Sequence, residues 1–117
     1  MKFTIPIPPR TKKNSNQITR NGAVIPSRAY RQYEKDCEWF IPKCEPINYK
    51  INLKAVFYIE ADRKSDLVGY LQAIQDVLVK YRVLEDDNRR IVHSTDGSYV
   101  DVDRKNPRTE IEIMEVK

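Results

Sequence analysis

The chain has 117 residues, a net charge of +4, 40% apolar residues and 32% charged residues. This length suits one domain, 1–117, rather than two, and the composition predicts a folded core under a heavily charged surface. Because no run of about eighteen apolar residues occurs, we expect no membrane-spanning helix. The start, MKFTIPIPP, lacks the long apolar stretch of a secretion signal, so we expect a cytoplasmic protein.

Positive charge is concentrated in the first third of the chain. Residues 1–35 hold eight Lys or Arg and one acid, which gives +7 and leaves −3 for the rest of the +4 total. A basic arm on a body with clustered acids predicts a polyanionic partner, and nucleic acid fits because each phosphate contact releases a condensed counterion. An ordinary solvated basic surface is the alternative, since basic runs of this kind often bind nothing.

The first predicted elements are a strand and a basic loop. Residues 2–7 alternate polar and apolar side chains and predict an edge strand. Residues 8–23 form a polar loop, in which an Asn-Gly dipeptide predicts a tight turn between Gln17–Arg20 and Ala23–Ile25. The loop also carries cations and hydrogen-bond donors suited to a phosphate backbone, although a plain surface loop has the same composition. These side chains include Lys12, Lys13 and Asn14.

A first helix is predicted after Pro26, with Ser27 as its N-cap. One face is apolar and comprises Tyr30, Tyr33, Cys37 and Phe40, and the opposite face is basic and comprises Arg28, Arg31 and Lys35. Trp39 and most of the tyrosines occupy positions typical of a core. The two cysteines, Cys37 and Cys44, lack a partner CxxC or His cluster, so we expect reduced thiols rather than a metal site or a disulfide.

The clearest strand covers residues 48–60, whose alternation and length predict a central strand. An amphipathic helix follows, with Ser65 or Asp66 expected to cap its first turn. Its apolar side chains recur at three- and four-residue steps. They are Leu67, Tyr70, Leu71, Ile74, Val77, Leu78 and Tyr81.

Three further strands are expected after this helix, at residues 90–95, at Tyr99–Asp103 and at Thr109–Val116. The second of them follows an Asp-Gly-Ser turn and is interpreted as a short return strand. The order of elements predicts a single α/β or α+β domain, in which a mixed β-sheet packs with two α-helices.

Carboxylates flank the second helix. Asp66 opens it, where the helix dipole favours an anion, and Asp86 and Asp87 follow its end. If the chain returns along the helix, Asp66 and Asp87 converge, and paired carboxylate oxygens are what Mg²⁺ needs. Asp-Asp pairs are also common in solvated turns, and Asp76 on the polar helix face is compatible with an ordinary surface role.

Basic residues near these acids favour a metal-dependent nuclease. In such an enzyme, carboxylates hold an ion that activates water, and cations hold the DNA backbone in line. The candidate DNA contacts are Lys12, Lys13, Asn14, Arg20, Arg28, Arg31, Lys64 and Arg89.

Most of the chain resembles the RusA family of Holliday-junction resolvases. The resemblance is carried by PIPPRTKKNS and NGAVIPSRAYRQYE, by DRKSDLVGYLQAIQDVLVKYRVLEDDNRRIV, and by NPRTEIEI. It implies a small α/β fold, a homodimer, and Mg²⁺-dependent nicking of four-way DNA junctions in recombination and repair. Many members of this family are encoded by prophages.

The resemblance also implies roles for individual acids. Asp66 matches the first metal-binding acid of the family, Asp87 matches the late one, and Asp86 matches its neighbour. These three are the implied catalytic residues. Together with Asp76, which matches an acid often present on the helix, they are the implied ligands of Mg²⁺ or Mn²⁺.

The chain departs from the family motif in two respects. The motif commonly reads Asp-x-Asp-Asn, with a lysine one turn later, whereas this chain has Val68, Gly69 and Gln72 at those positions. A lost ligand and a lost cation each predict weaker catalysis, because electrostatic terms at a phosphoryl centre are large. Asp62, Asp76 or Asp86 could supply the lost ligand, with Lys64 or another lysine supplying the charge. Alternatively, the metal site could be looser and hold more water, or the protein could bind junctions and cut them poorly or not at all.

Three functions therefore compete at this point. The first is a metal-dependent endonuclease that resolves branched DNA, with activity weakened by the two departures. The second is a junction-binding protein that does not cut. The third is a small scaffold protein that binds no nucleic acid, which the basic arm makes the least favoured of the three.

Overall fold

The computed structural model describes residues 1–12, 16–18, 20, 22 and 24–117, and within them a mixed five-stranded sheet lies beside two helices. The strands are β1 Lys2–Ile5, β2 Asn16–Ile18, β3 Val24–Pro26, β4 Ile51–Ile59, β5 Val92–Ser94, β6 Tyr99–Val102 and β7 Arg108–Glu115. The helices are α1 Arg28–Cys37 and α2 Leu67–Lys80. The predicted α+β class is confirmed. None of the described helices is long and apolar enough to cross a membrane.

The long strand β4 lies inside the sheet, as its length and alternation predicted. Its antiparallel neighbour is β7, which in turn pairs with β1, and its other edge carries β5 and β6. Strands β2 and β3 form a separate antiparallel hairpin in the register Asn16↔Pro26 to Ile18↔Val24. The predicted hairpin is confirmed, although its strands begin and end a residue or more from the expected bounds.

The interpretation of residues 99–103 as a return strand is wrong. Both β5 and β6 run parallel to β4, with Val92 opposite Ile51 and Tyr99 opposite Val56, so β6 continues along the same edge. The turn between β5 and β6 therefore does not reverse the direction of the chain. Its Ser98 hydroxyl accepts from Ala55 N at 3.0 Å, which returns the chain to the β4 edge.

One face of the sheet is buried against both helices. Strand β4 turns alternate side chains toward them, and the face of α2 predicted to be apolar packs there, with the Phe57 and Tyr70 rings stacked at 5.3 Å. The buried members from the two elements are Ile51, Leu53, Ala55, Phe57, Ile59, Tyr70, Ala73, Ile74, Val77 and Leu78. Tyr30, Tyr33 and Cys37 of α1 complete this layer.

The predicted N-cap is confirmed for α1, whereas the predicted capping by Asp66 is not found in α2. The Ser27 hydroxyl accepts from Tyr30 N at 3.2 Å, so its predicted role as an N-cap is confirmed. Asp66 occupies the N-cap position of α2, but its side chain makes no capping hydrogen bond. Its carboxylate therefore does not close the first turn of the helix.

The expectation that Trp39 is a core residue is wrong. Helix α1 ends at Cys37, and Glu38–Phe40 form a short 3₁₀ helix. Because this turn is wound more tightly than an α-helix, the apolar phase of α1 is lost. Trp39 is consequently 85% exposed, and Phe40, expected on the apolar face, is exposed as well. Both cysteines are free thiols, Cys37 buried and Cys44 exposed, as expected.

We predict that Ile74→Ala lowers the free energy of unfolding by about 2–5 kcal/mol, because it opens a cavity between α2 and β4. Val68→Ala on the same helix is the matched control, since the Val68 side chain is 76% exposed, and a change within about 0.5 kcal/mol is expected. Urea denaturation of the two variants measures both values. Equal losses would contradict this placement of α2.

Candidate functional site

Because one face of α2 is buried, the helical repeat determines which of its residues face solvent. With Tyr70, Ile74 and Val77 turned into the core, the periodicity of the helix leaves Gln72 exposed and Asp76 half-buried at the surface. Asp66 is exposed at the start of the same helix. The exposed side of α2 is therefore polar and acidic.

Asp76 is held by two polar partners. Its Oδ1 accepts from Gln72 Nε2 at 3.3 Å, one helical turn earlier. Its Oδ2 forms an ion pair with Lys12 Nζ at 2.9 Å. The same ammonium lies 5.5 Å from the centroid of the Tyr30 ring, within the range of a cation–π contact. A cation from the N-terminal loop thus lies directly on the acidic side of α2.

Packing of the loop against α2 brings Lys12 to this place. The Thr11 side chain lies over Gly69, with its Cγ2 3.4 Å from where a Cβ at Gly69 would be, an ordinary van der Waals distance. Earlier in the loop, Arg10 Nη1 donates to Glu60 Oε1 at 2.9 Å, at the carboxyl end of β4. The loop is therefore fastened both to the sheet and to the helix before it reaches Lys12.

Glu60 anchors two arginines. Its Oε1 also accepts from Arg63 Nη1 at 3.1 Å. Burial alone would raise the pKa of Glu60, but the hydrogen bonds from Arg63 and Arg10 outweigh it and lower the pKa. Glu60 is therefore charged at neutral pH and holds both the loop and the segment that leads into Asp66.

An open cavity of about 590 Å³ lies at the N-terminal half of α2. Asp66 and Gln72 line it from the helix side, and Lys12 lines it from the loop side. Lys12 is thus shared between the Asp66 cavity and the Asp76 carboxylate.

The chain reverses direction after the end of α2. Arg82 adopts a left-handed conformation with φ 62°, and Val83 N and Leu84 N both donate to Leu78 O, at 2.9 and 3.2 Å. Glu85 N then donates to Ile47 O at 3.0 Å, which fastens the returning segment beside β4. This reversal carries the Asp86-Asp87 pair back toward the body of the helix.

Asp87 lies among other acids. Burial raises its pKa, and hydrogen bonding to Asp86 and the negative charges of Asp86 and Asp76 raise it further. Asp86 is held in place by two donors, with Oδ1 accepting from Asp87 N at 2.7 Å and Oδ2 from Asn88 Nδ2 at 3.2 Å. The negative charges of Asp86 and Asp76 are therefore both felt at Asp87.

Asp66 lies at the start of the helix that carries Asp76. It precedes Asp76 by ten residues, which corresponds to about 15 Å of helix rise. Within the described part of the chain, no three His, Cys, Asp or Glu side chains are grouped so that they could hold a metal ion. The convergence of Asp66 and Asp87 on one ion stays a prediction.

The predicted DNA contacts fall around α2 and on the solvent side of α1. Arg28 and Arg31 are exposed on α1, Lys64 is exposed before α2, and Arg89 is exposed after Asp87. Arg20 is exposed near the hairpin. Lys13 and Asn14, also predicted to contact DNA, lie outside the described residues.

Sequence reasoning missed the link between Lys12 and Asp76, and it missed Tyr30 as a neighbour of that pair. One signal was available. A glycine inside a helix costs about 1 kcal/mol relative to alanine, so its presence points to a packing or functional reason. Gly69 is such a residue, and the side chain of Thr11 lies over it.

Comparison with known proteins gives one family match. The model of the family described as Endodeoxyribonuclease RusA matches residues 6–114 of the 117-residue chain. The matched region begins in the N-terminal loop, includes all the acids described above and ends within β7. No curated protein sequence matches the chain significantly.

We predict that Asp87→Asn raises the melting temperature by a few degrees at pH 7 in the presence of a chelator. Because the pKa of Asp87 is raised in the folded state, its ionisation destabilises the fold at neutral pH. The difference from wild type closes as pH falls through the raised pKa, and it vanishes below about pH 3.9, the ordinary aspartate value.

Thermal unfolding at pH 7 and in acid measures this difference. Glu115→Gln is the control, since Glu115 is an exposed acid at the end of β7, and it should leave the melting temperature nearly unchanged. A lower melting temperature for Asp87→Asn at pH 7 would contradict the unfavourable charge clustering.

Proposed function

The chain belongs to the RusA family of endodeoxyribonucleases, and from this premise we propose that it resolves four-way DNA junctions by metal-dependent hydrolysis of phosphodiester bonds. The observation that carries the proposal is the Asp76–Lys12 ion pair at 2.9 Å on the solvent side of α2, beside the cavity that Lys12 shares with Asp66. Acids and a cation in contact, open to solvent, are the charges that phosphodiester hydrolysis uses.

The donor chemistry fits Mg²⁺ or Mn²⁺, which prefer oxygen ligands. We propose Asp66, Asp86 and Asp87 as the residues that would hold the ion. When bound, a divalent ion polarises the scissile phosphate and lowers the pKa of water. Burial contributes most to the raised pKa of Asp87, and the charges of Asp86 and Asp76 add a repulsion of the kind that a cation relieves.

Asp76 is the fourth candidate ligand, and its present partners constrain that role. Gln72 and Lys12 occupy its two oxygens, so an ion bound to Asp76 would have to displace the lysine. The simpler arrangement keeps Asp76 as the holder of Lys12 and leaves the ion to the other three acids. In that arrangement the acids and their metal ion would lie on one side of the phosphate and the Lys12 ammonium on the other.

Branched DNA would be positioned by the exposed cations around this site. Arg28 and Arg31 on α1, with Lys64 and Arg89 on either side of α2, are proposed to contact phosphates rather than bases. Symmetric cutting of a junction needs two sites related by a two-fold axis, so we propose a homodimer, the commonest closed assembly of soluble proteins.

A weakly cutting or non-cutting junction-binding protein is the second candidate. It is favoured by Val68, which is 76% exposed on the first turn of α2 and offers no ligand where the family motif has an acid. Gln72, also exposed, is neutral where the motif has a cation. Both functions share the DNA-binding surface and differ only in turnover.

We predict paired, symmetric nicks in a labelled four-way junction with Mg²⁺ or Mn²⁺. Asp66→Asn and Asp87→Asn should each reduce the cleavage rate by about 100-fold or more, because each removes a charge at the phosphoryl centre. Glu115→Gln, on the far end of β7, should cut like wild type. Unchanged cleavage by Asp87→Asn would contradict the proposed site, and junction binding without nicks would favour the second candidate.

We predict that Arg28→Ala weakens junction binding and lowers the slope of log affinity against log salt by about 1, the value for one lost phosphate contact. Lys2→Ala is the matched control, because Lys2 is an exposed cation paired with Glu112 on the helix-free face of the sheet. Gel-shift titrations over several salt concentrations measure both slopes. No DNA binding near physiological salt would support the scaffold alternative instead.

A further inference from the structure

We propose that Lys12 is the cation that contacts the reacting phosphate, supplied to the acidic site by the N-terminal loop rather than by α2. The proposal rests on the nuclease function proposed above and adds the source of the positive charge at that site. It assigns Lys12 a role in the cleavage step, beyond general attraction of DNA.

Helix α2 itself offers no cation to its acidic side. Lys80 is the one basic residue of Leu67–Lys80, and it is paired with Glu34 of α1, at the far end from Asp66. Gln72, which lies between Asp66 and Asp76 on the exposed side, is neutral and donates to Asp76. Positive charge at this position must therefore come from another element.

Lys12 meets that need by its place in the fold. Its Nζ lies 2.9 Å from Asp76 Oδ2, and its side chain lines the cavity shared with Asp66. The side chain is nevertheless 42% exposed, so the ammonium is held in position and still open to a ligand. An ammonium has three donors, which lets it keep the Asp76 contact while donating to a phosphate oxygen.

The loop is built to hold this lysine in one place. Arg10 fastens the preceding residues to Glu60, Pro9 is buried, and Thr11 packs against Gly69. The Tyr30 ring then supports the ammonium from the α1 side. A preorganised cation stabilises charge that develops on the phosphate without a reorganisation cost at the moment of reaction. In this role Lys12 transfers no proton and forms no bond.

The test compares Lys12→Gln with the double variant Lys12→Gln/Gln72→Lys. Single-turnover cleavage of a four-way junction is measured at saturating protein, together with the junction Kd and the melting temperature. We expect Lys12→Gln to slow cleavage by about 100-fold, the scale of one lost electrostatic donor. Its Kd should rise only several-fold, as for one phosphate contact.

The double variant separates charge from structure. A lysine at position 72 starts one turn before Asp76 and can place its ammonium on the same carboxylate, so we expect at least about tenfold recovery of the cleavage rate. Because the family motif has a lysine at position 72, the single variant Gln72→Lys is measured as well. The inference predicts that Gln72→Lys gains little while Lys12 is present and that the double variant recovers, whereas an equal gain in both would overturn it. Lys2→Gln is the control and should leave rate and Kd unchanged.

The outcomes are distinct. If wild-type protein cuts and Lys12→Gln cuts equally fast, the inference is overturned and the nuclease function stands. If Lys12→Gln is slow, melts lower and is not rescued by Gln72→Lys, Lys12 only fastens the loop, and the inference is again overturned. If wild-type protein gives no nicks with either metal, the proposed function itself fails, and this inference fails with it.

Discussion

The packing of α2 on β4 is the constraint on which the rest of the structure depends. Because α2 buries Tyr70, Ile74 and Val77 against the strand, the residues on its solvent-exposed face are fixed by the helical repeat. Gln72 and Asp76 are turned outward by the same periodicity that turns the apolar residues inward. The position of the acids is thus a by-product of core formation, and the hydrophobic core is what holds the site rigid.

The site is electrostatically unfavourable in the absence of a partner. Burial, hydrogen bonding to Asp86 and the charges of Asp86 and Asp76 together raise the pKa of Asp87, so the fold carries a cost for keeping this carboxylate ionised. Lys12 offsets part of this cost at Asp76 but contacts only one of the three acids. Such an excess of like charge lowers stability and favours the binding of cations, a compromise common where function requires clustered charge.

Much of the architecture could be predicted from the sequence because it depends on periodicity. The alternation of β4 and the three- and four-residue steps of α2 are local signals that burial then enforces. The direction of β6 could not be predicted this way, since an Asp-Gly turn indicates a bend and not the path of the chain after it. The exposure of Trp39 could not be predicted either, because a single 3₁₀ turn shifts the phase of the apolar pattern.

The candidate acids can be identified in the sequence by their position and by the family resemblance. The residue that pairs with Asp76 cannot be identified in this way. Lys12 and Asp76 are distant in sequence, and no pattern links a loop lysine to a particular helix carboxylate. Their meeting depends on the Arg10–Glu60 contact and on the packing of Thr11 against Gly69, which are tertiary facts. Local sequence therefore predicts the helix and its charges, and only the packed fold decides which charges meet.

The position of β7 sets an order of assembly. It follows the other strands in the chain, yet it lies between β1 and β4. On a growing chain, β1, β4 and α2 have all been made before β7, so the strand that separates β1 from β4 is made last. Strand β1, which leads into the Lys12 loop, can join the sheet only when β7 fills the gap. The entry of β1 into the sheet therefore waits for the end of the chain, whereas the Arg10–Glu60 and Thr11–Gly69 contacts that place Lys12 involve no residue of β7.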